Sequence, residues 1–312
     1  MEKNDSIFLA GHSGLVGSAI KRQLDALEYK DIITRDIKTI DLRNQKDTMD
    51  FFKEYNPDYV FLAAAKVGGI LANATFPAEF IYDNLMIQTN VIHAAHESNV
   101  KKLLFLGSSC IYPKFAEQPI KEESLLTGKL EETNIAYAVA KIAGIILCQS
   151  YNKQFGDKFI SLMPTNLYGI NDNFDLKTSH VLPALIRKFH EGKEQNKKSV
   201  EVWGTGTPMR EFLFVDDLAD ASIFLMKNYD APEIINVGTG RDISIKELSF
   251  LIKDIVGYEG DIHFDTSKPD GTPKKQLNVS KLFAMGWRPK TDLREGIKTT
   301  YEWYLKNQNR FK

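Results

Sequence analysis

Apolar and polar positions in the first half of this chain switch between two repeats. Short continuous apolar runs at Ser6 to Ala10, Asp31 to Thr34, Tyr59 to Ala64, Lys102 to Gly107 and Phe159 to Met163 read as buried strands. Between them lie stretches at helical spacing: Ser18 to Leu24, the run from Tyr137 to Tyr151, and Ala78 to His96, where Phe80, Ile81, Leu85, Val91 and Ile92 recur. Strands alternating with helices predict an α/β fold on a doubly wound parallel sheet. Beyond about residue 166 Gly, Pro and Asn punctuate Pro164 to Gly169 and Asn171 to Phe174, and a smaller α+β lobe is expected there. The chain shows no internal repeat and no low-complexity segment.

The first strand runs into Gly11, His12, Ser13, Gly14, Leu15, Val16 and Gly17, followed by a helical stretch. Glycines at this spacing allow a tight turn and bring the backbone close to a pyrophosphate at a helix N-terminus, the phosphate loop of a Rossmann domain. The expected division is 1–166 for that domain, with a return segment near 205–230, and 167–312 mainly for a substrate-binding lobe. The strand Lys102 to Gly107 delivers Ser108 and Cys110 just past its C-terminal end, where the crevice of an open parallel sheet lies. Tyr137 and Lys141 are one helical turn apart and share a face. An ammonium near a phenol favours the phenolate, so the pair reads as a proton relay for carbonyl reduction, with Ser108 placed to hold the carbonyl oxygen. Taken alone, such a pair also occurs by chance.

Composition narrows the picture. A formal net charge of -1 with 26% charged residues gives no field for nucleic acid or an anionic membrane. The N-terminus enters the first strand without a signal-like apolar region, and no stretch is expected to approach a membrane span, so a cytoplasmic protein is expected. Cys110 and Cys148 supply neither a disulfide framework nor metal-ligand spacing. Cys148 falls in the helical pattern as a buried thiol. Without further context Cys110 reads the same way, and His180 reads as a satisfied or surface histidine.

Gly11 to Gly17, Ser108 and Tyr137 to Lys141, with Arg210 to Asp217 and Ile235 to Gly240, resemble the extended short-chain dehydrogenases that modify nucleotide sugars. Within that family the closer likeness is to members that act on GDP-4-keto-6-deoxy-D-mannose. It rests on Ala63 to Gly69, Leu106 to Pro113, Met163 to Gly169, Ser179-His180, Trp203 to Arg210 and Lys268 to Pro273, spread over nearly the whole chain. The resemblance implies an NADP-dependent oxidoreductase with epimerase activity. A C4 ketone acidifies the protons at C3 and C5, and two proton-exchanging groups invert those centres. The resemblance gives these roles to Cys110 and His180, leaving open which is base and which acid. Ser108, Tyr137 and Lys141 then serve the C4 reduction.

The same resemblance assigns the cofactor to Gly11 through Gly17, Arg35, Asp41, Leu42, Leu106, Gly107, Ser108, Lys141, Pro164, Thr165, Asn166, Leu167 and His180. It assigns the GDP-sugar to Lys188, Trp203, Arg210 and Asp270, although Trp203 reads equally as core packing. Ser13 stands where NADPH-dependent relatives offer an arginine. Arg35 and Lys38 could hold a 2′-phosphate, while Asp36 lies where an NAD enzyme binds the ribose, so NADP(H) comes first and NAD(H) stays open. A related 4-epimerase or 4-reductase would need neither Cys110 nor His180, and a dinucleotide sensor would not need the Ser-Tyr-Lys set. Apolar residues on more than one face of Ala78 to His96 and Tyr137 to Tyr151 fit helices covered by a sheet and by a second subunit, so a homodimer is expected.

Overall fold

The computed structural model describes residues 1–268 and 270–311; Pro269, within the Lys268 to Pro273 motif, and Lys312 lie outside the described residues. In chain order the first half gives β1 (Ser6–Ala10), α1 (Leu15–Ala26), β2 (Asp31–Ile33), α2 (Gln45–Tyr55), β3 (Tyr59–Leu62), α3 (Ile70–Thr75), α4 (Pro77–Glu97), β4 (Lys102–Leu106), α5 (Ile135–Phe155) and β5 (Phe159–Pro164). The second half gives β6 (Asn166–Tyr168), α6 (Val181–Glu194), β7 (Ser199–Trp203), β8 (Met209–Phe214), α7 (Val215–Asn228), β9 (Ile235–Val237), β10 (Asp242–Ser244), α8 (Ile245–Val256), β11 (Asp261–Asp265), β12 (Lys274–Lys275), α9 (Ser280–Ala284) and α10 (Leu293–Asn307).

Six strands form one parallel sheet in the order β2-β1-β3-β4-β5-β9. Its strands are apolar on both faces because helices cover both. Ile7, Leu9, Leu104 and Leu106 meet α1 and α7 on one side. Phe8, Ala10, Leu103 and Phe105 meet α2, α4 and α5 on the other. The order reverses between β1 and β3, which opens a crevice at their C-terminal ends.

β6, β8, β10 and β12 make a second, mixed sheet, and β7 pairs with β11. A separate core joins Phe212 and Phe214 of β8 to Leu185 and Phe189 of α6, Leu248 of α8 and Tyr301 of α10. Leu213, between the two phenylalanines, points into the core of the large sheet. One strand thus carries both cores on its two faces.

One sequence expectation needs correcting. The stretch Glu132–Phe155, which contains α5, is long and apolar enough to span a membrane by length and composition. Its apolarity has another cause: α5 packs along α4 and buries Ile142, Ile145 and Cys148 against the large sheet.

Candidate active site

At the β1/α1 turn Gly11 has φ +85°, and a Cβ there would lie 2.6 Å from the Ala64 backbone nitrogen. A Cβ at Gly17 would strike the Gly11 carbonyl oxygen, so strand, loop and helix close on one another without side chains. Leu15 and Val16 pack into the core below, and Asn171 Nδ2 donates to the Ser13 carbonyl oxygen at 2.7 Å. The α1 N-terminus at Gly14 has no side-chain cap and no acid in its first turn, and His12 Nδ1 is buried without a partner among the described residues. This cradle fits a dinucleotide diphosphate.

Arg35 follows β2 with its guanidinium over the Tyr55 ring at 4.6 Å. Asp36 is committed elsewhere: its carboxylate accepts from the backbone N–H groups of Lys38 (2.8 Å) and Thr39 (3.1 Å), which hold its pKa below the usual range. Arg35 Nη1 also donates to the Thr34 carbonyl at 2.7 Å, so its guanidinium is set at the end of β2 while Asp36 Oδ1 is engaged by its own turn. Asp41 is bound by Arg43, which lowers the pKa of its carboxyl, and the Leu42 carbonyl accepts from Asn90 at 2.9 Å. Leu106 ends β4 and Gly107 follows it. Pro164 ends β5, and Leu167 packs inward from β6. Thr165 Oγ1 and Asn166 Nδ2 donate to the Glu211 carbonyl at 3.2 and 2.8 Å.

Ser108 caps a short 3-10 turn, Ser109–Ile111, and its Oγ accepts from the Cys110 N–H at 3.3 Å. Lys141 is buried on α5, donates to the Leu106 carbonyl at 2.8 Å and lies 5.7 Å from the Tyr137 ring centroid. Burial lowers its pKa to about 8. From sequence the ammonium lowers the phenol; in the fold burial prevails and raises the Tyr137 pKa, with the Ser108 hydroxyl acting against it. Burial also raises the Cys110 thiol, against the charges of Lys275 and Lys141. His180 caps α6 on a segment seated by the Gly69 N–H, which donates to the Thr178 carbonyl at 2.8 Å. The residue is exposed, yet surrounding protein and then the Lys275 charge lower its pKa.

A second group gathers across the lobe. Trp203 is 55% exposed, so it is not the core residue its type allows, and the ammonium groups of Lys188 and Lys268 lie 5.6 and 5.7 Å from its ring centroid. Asp270 accepts from Thr205 N–H (2.9 Å) and Oγ1 (2.7 Å), pinning the turn after Trp203. Arg210 is held with its pKa lowered by burial, and it pairs in register with Lys275 of β12.

Two residues of this region escape the sequence reading. Lys275, whose pKa burial lowers, acts electrostatically on Cys110, His180 and Arg210 and so joins the two groups. Its signal was only its place two residues past the Lys268 to Pro273 motif. Glu211, an acid inside an apolar strand, was visible as an oddity in Arg210-Glu-Phe-Leu-Phe.

Comparison with known proteins bears on this arrangement. The NAD dependent epimerase/dehydratase family matches residues 7–238. GDP-L-fucose synthase 1 of Arabidopsis thaliana is 58% identical over 306 residues, covering 98% of this chain and 95% of that protein. An NADP-bound GDP-L-fucose synthetase from Naegleria fowleri superposes with a TM-score of 0.92 at 33% identity, over 99% of this chain and 95% of that one. A GDP-6-OMe-4-keto-L-xylo-heptose reductase from C. jejuni gives 0.94 at 42% identity, over 98% of this chain and 99% of that one.

Proposed function

This chain belongs to the NAD dependent epimerase/dehydratase family, and from that premise we propose that it converts GDP-4-keto-6-deoxy-D-mannose to GDP-L-fucose, as a cytoplasmic homodimer. It epimerises C3 and C5 and then reduces C4 with NADP(H) as cofactor. One observation carries the reading: Lys275, in register with Arg210, acts on both Cys110 and His180, while Cys110 is hydrogen-bonded through its N–H to Ser108 and also feels Lys141, so the thiol, the imidazole and the Ser-Tyr-Lys set belong to one crevice.

With the thiol protonated and the imidazole neutral, the pair holds a proton that one group can give while the other takes one. That is the inventory needed to invert a carbon next to a ketone. NADPH bound in the glycine cradle supplies the hydride for C4. Tyr137 donates its proton to the oxygen at C4, and Ser108 holds that oxygen. Lys141, anchored on the Leu106 carbonyl, fixes the phenol and adds a positive charge nearby. Arg210 and Lys275, adjacent across β8 and β12, suit a diphosphate, and Trp203 offers an exposed aromatic ring, with Lys188 and Lys268 over it, to a base.

A 4-reductase acting on another GDP-sugar is the second reading, favoured by the likeness to the heptose reductase. Incubation with GDP-4-keto-6-deoxy-D-mannose and NADPH or NADH, with the product identified by NMR, separates the two. GDP-L-fucose supports the first reading. A C4-reduced product with C3 and C5 unchanged supports the second.

A further inference from the structure

Glu211 is fully buried on β8, and its partners among the described residues are backbone N–H groups and one hydroxyl. Oε1 accepts from the N–H groups of Thr239 (2.6 Å) and Gly240 (2.8 Å), and from the Thr239 hydroxyl at 3.4 Å. Oε2 accepts from the Leu277 N–H at 2.7 Å. The loop at 238–240 packs so closely that a Cβ on Gly238 would strike the carboxylate. A buried carboxylate without a cation partner is expensive, and it persists here where two segments, the 238–240 loop and the stretch at Leu277, bring it donors.

Those segments surround the substrate region. Arg210 precedes Glu211 on β8 and points to the opposite face. Leu277 lies two residues after Lys275, the register partner of Arg210. Gln276 extends the tie, its Nε2 donating to the Gly240 carbonyl at 2.7 Å. The carboxylate thus holds the chain just past Lys275, while alternation along β8 sets Arg210, with Lys275 beside it in register, on the opposite face.

We propose that Glu211 is a positioning residue for the diphosphate of the GDP-sugar: its two oxygens lock the Lys275 strand and the 238–240 loop onto β8, fixing Lys275 beside Arg210. This role rests on the GDP-sugar reading above. Glu211 touches neither substrate nor reacting atoms and acts through Lys275. An amide offers one oxygen in place of two, so Glu211→Gln can serve the Thr239/Gly240 pair or Leu277, but not both.

The test is binding of GDP and of NADPH to the full-length protein, by calorimetry, for wild type, Glu211→Gln, Lys275→Met and the double variant. Glu211→Gln is expected to weaken GDP about tenfold, the scale of a lost charged hydrogen bond, and to leave NADPH within about twofold. The double variant should bind GDP no worse than Lys275→Met alone, because the carboxylate then has no cation to position. Equal weakening of GDP and NADPH, unchanged GDP binding, or losses that multiply in the double variant would each overturn the role. Should Glu211→Gln fail to unfold cooperatively, Glu211→Asp, which keeps both oxygens on a shorter stem, takes its place under the same criteria. Wild-type protein that binds NADPH but no GDP would overturn the substrate reading itself, a result distinct from the others.

Discussion

Cys110 and Tyr137 sit within one crevice but are asked for different protons, and this makes the two chemical steps separable. Cys110→Ser or His180→Gln should slow exchange of the C3 and C5 protons with deuterated water about 10²-fold or more, leaving NADPH binding nearly intact. Tyr137→Phe should do the reverse: continued exchange, seen by NMR, with little NADPH oxidation. Loss of both activities in all three variants would contradict this division of roles. Lys141 gives a pH test. Its folded pKa lies below its ordinary value, near 8, so the fold favours the neutral amine. This penalty on folding is full below pH 8 and fades as pH rises toward 10.5, while the charge beside Tyr137 is lost as pH passes 8. kcat/KM for reduction should fall above about pH 8, and Lys141→Arg, less active but always charged, should be flat through that range; an unchanged alkaline limb in the variant would assign the ionisation to another group. Tyr137 and Lys141 were legible because helical spacing is local. Glu211 shows in the sequence only as an acid in an apolar run, and the roles of Glu211 and Lys275 are not legible, because their neighbours Arg210, Leu277 and Thr239 are set by strand register and loop packing far along the chain.

Elements whose signal is local follow the same rule. β1, the glycine loop and α1 could be read directly from an apolar run, three spaced glycines and a helical repeat. β12 is two residues long and exists only by pairing with β8, so no window of sequence reveals it. The helical spacing of α5 is legible in the sequence, but its membrane-like length and composition are not explained by any local pattern; packing against α4 and the sheet accounts for them. The glycine loop permits a sharp prediction at this scale. In Gly17→Ala the new methyl meets the Gly11 carbonyl oxygen, and the loop must shift to admit it. Overpacking of this kind costs about 1–3 kcal/mol, so NADPH affinity should drop roughly tenfold to a hundredfold in a fluorescence titration. Affinity equal to wild type would show that the cradle tolerates the shift and that the cofactor does not depend on this approach.

At the scale of the whole molecule, both lobes share β8, and the crevice between them is lined from each. The surface left over is informative. On α5 Ile135, Val139 and Ile146 lie 47%, 41% and 43% exposed along one stripe, and Tyr82 of the neighbouring α4 is 60% exposed. α4 and α5 already cover the large sheet with their inner faces, so this outer apolar stripe is what a second subunit would bury. A two-fold axis would then set α4 and α5 against their copies, with the same residues contributed by each side. Val139 and Ile146 sit on the helix that carries Tyr137 and Lys141 but face away from the sheet, so their replacement should disturb association before chemistry. Light scattering should give twice the chain mass for wild type and a single-chain mass for Val139→Lys/Ile146→Lys, with NADPH still bound. A wild-type mass of one chain at every concentration, or a double variant that remains paired, would place the contact elsewhere or remove it.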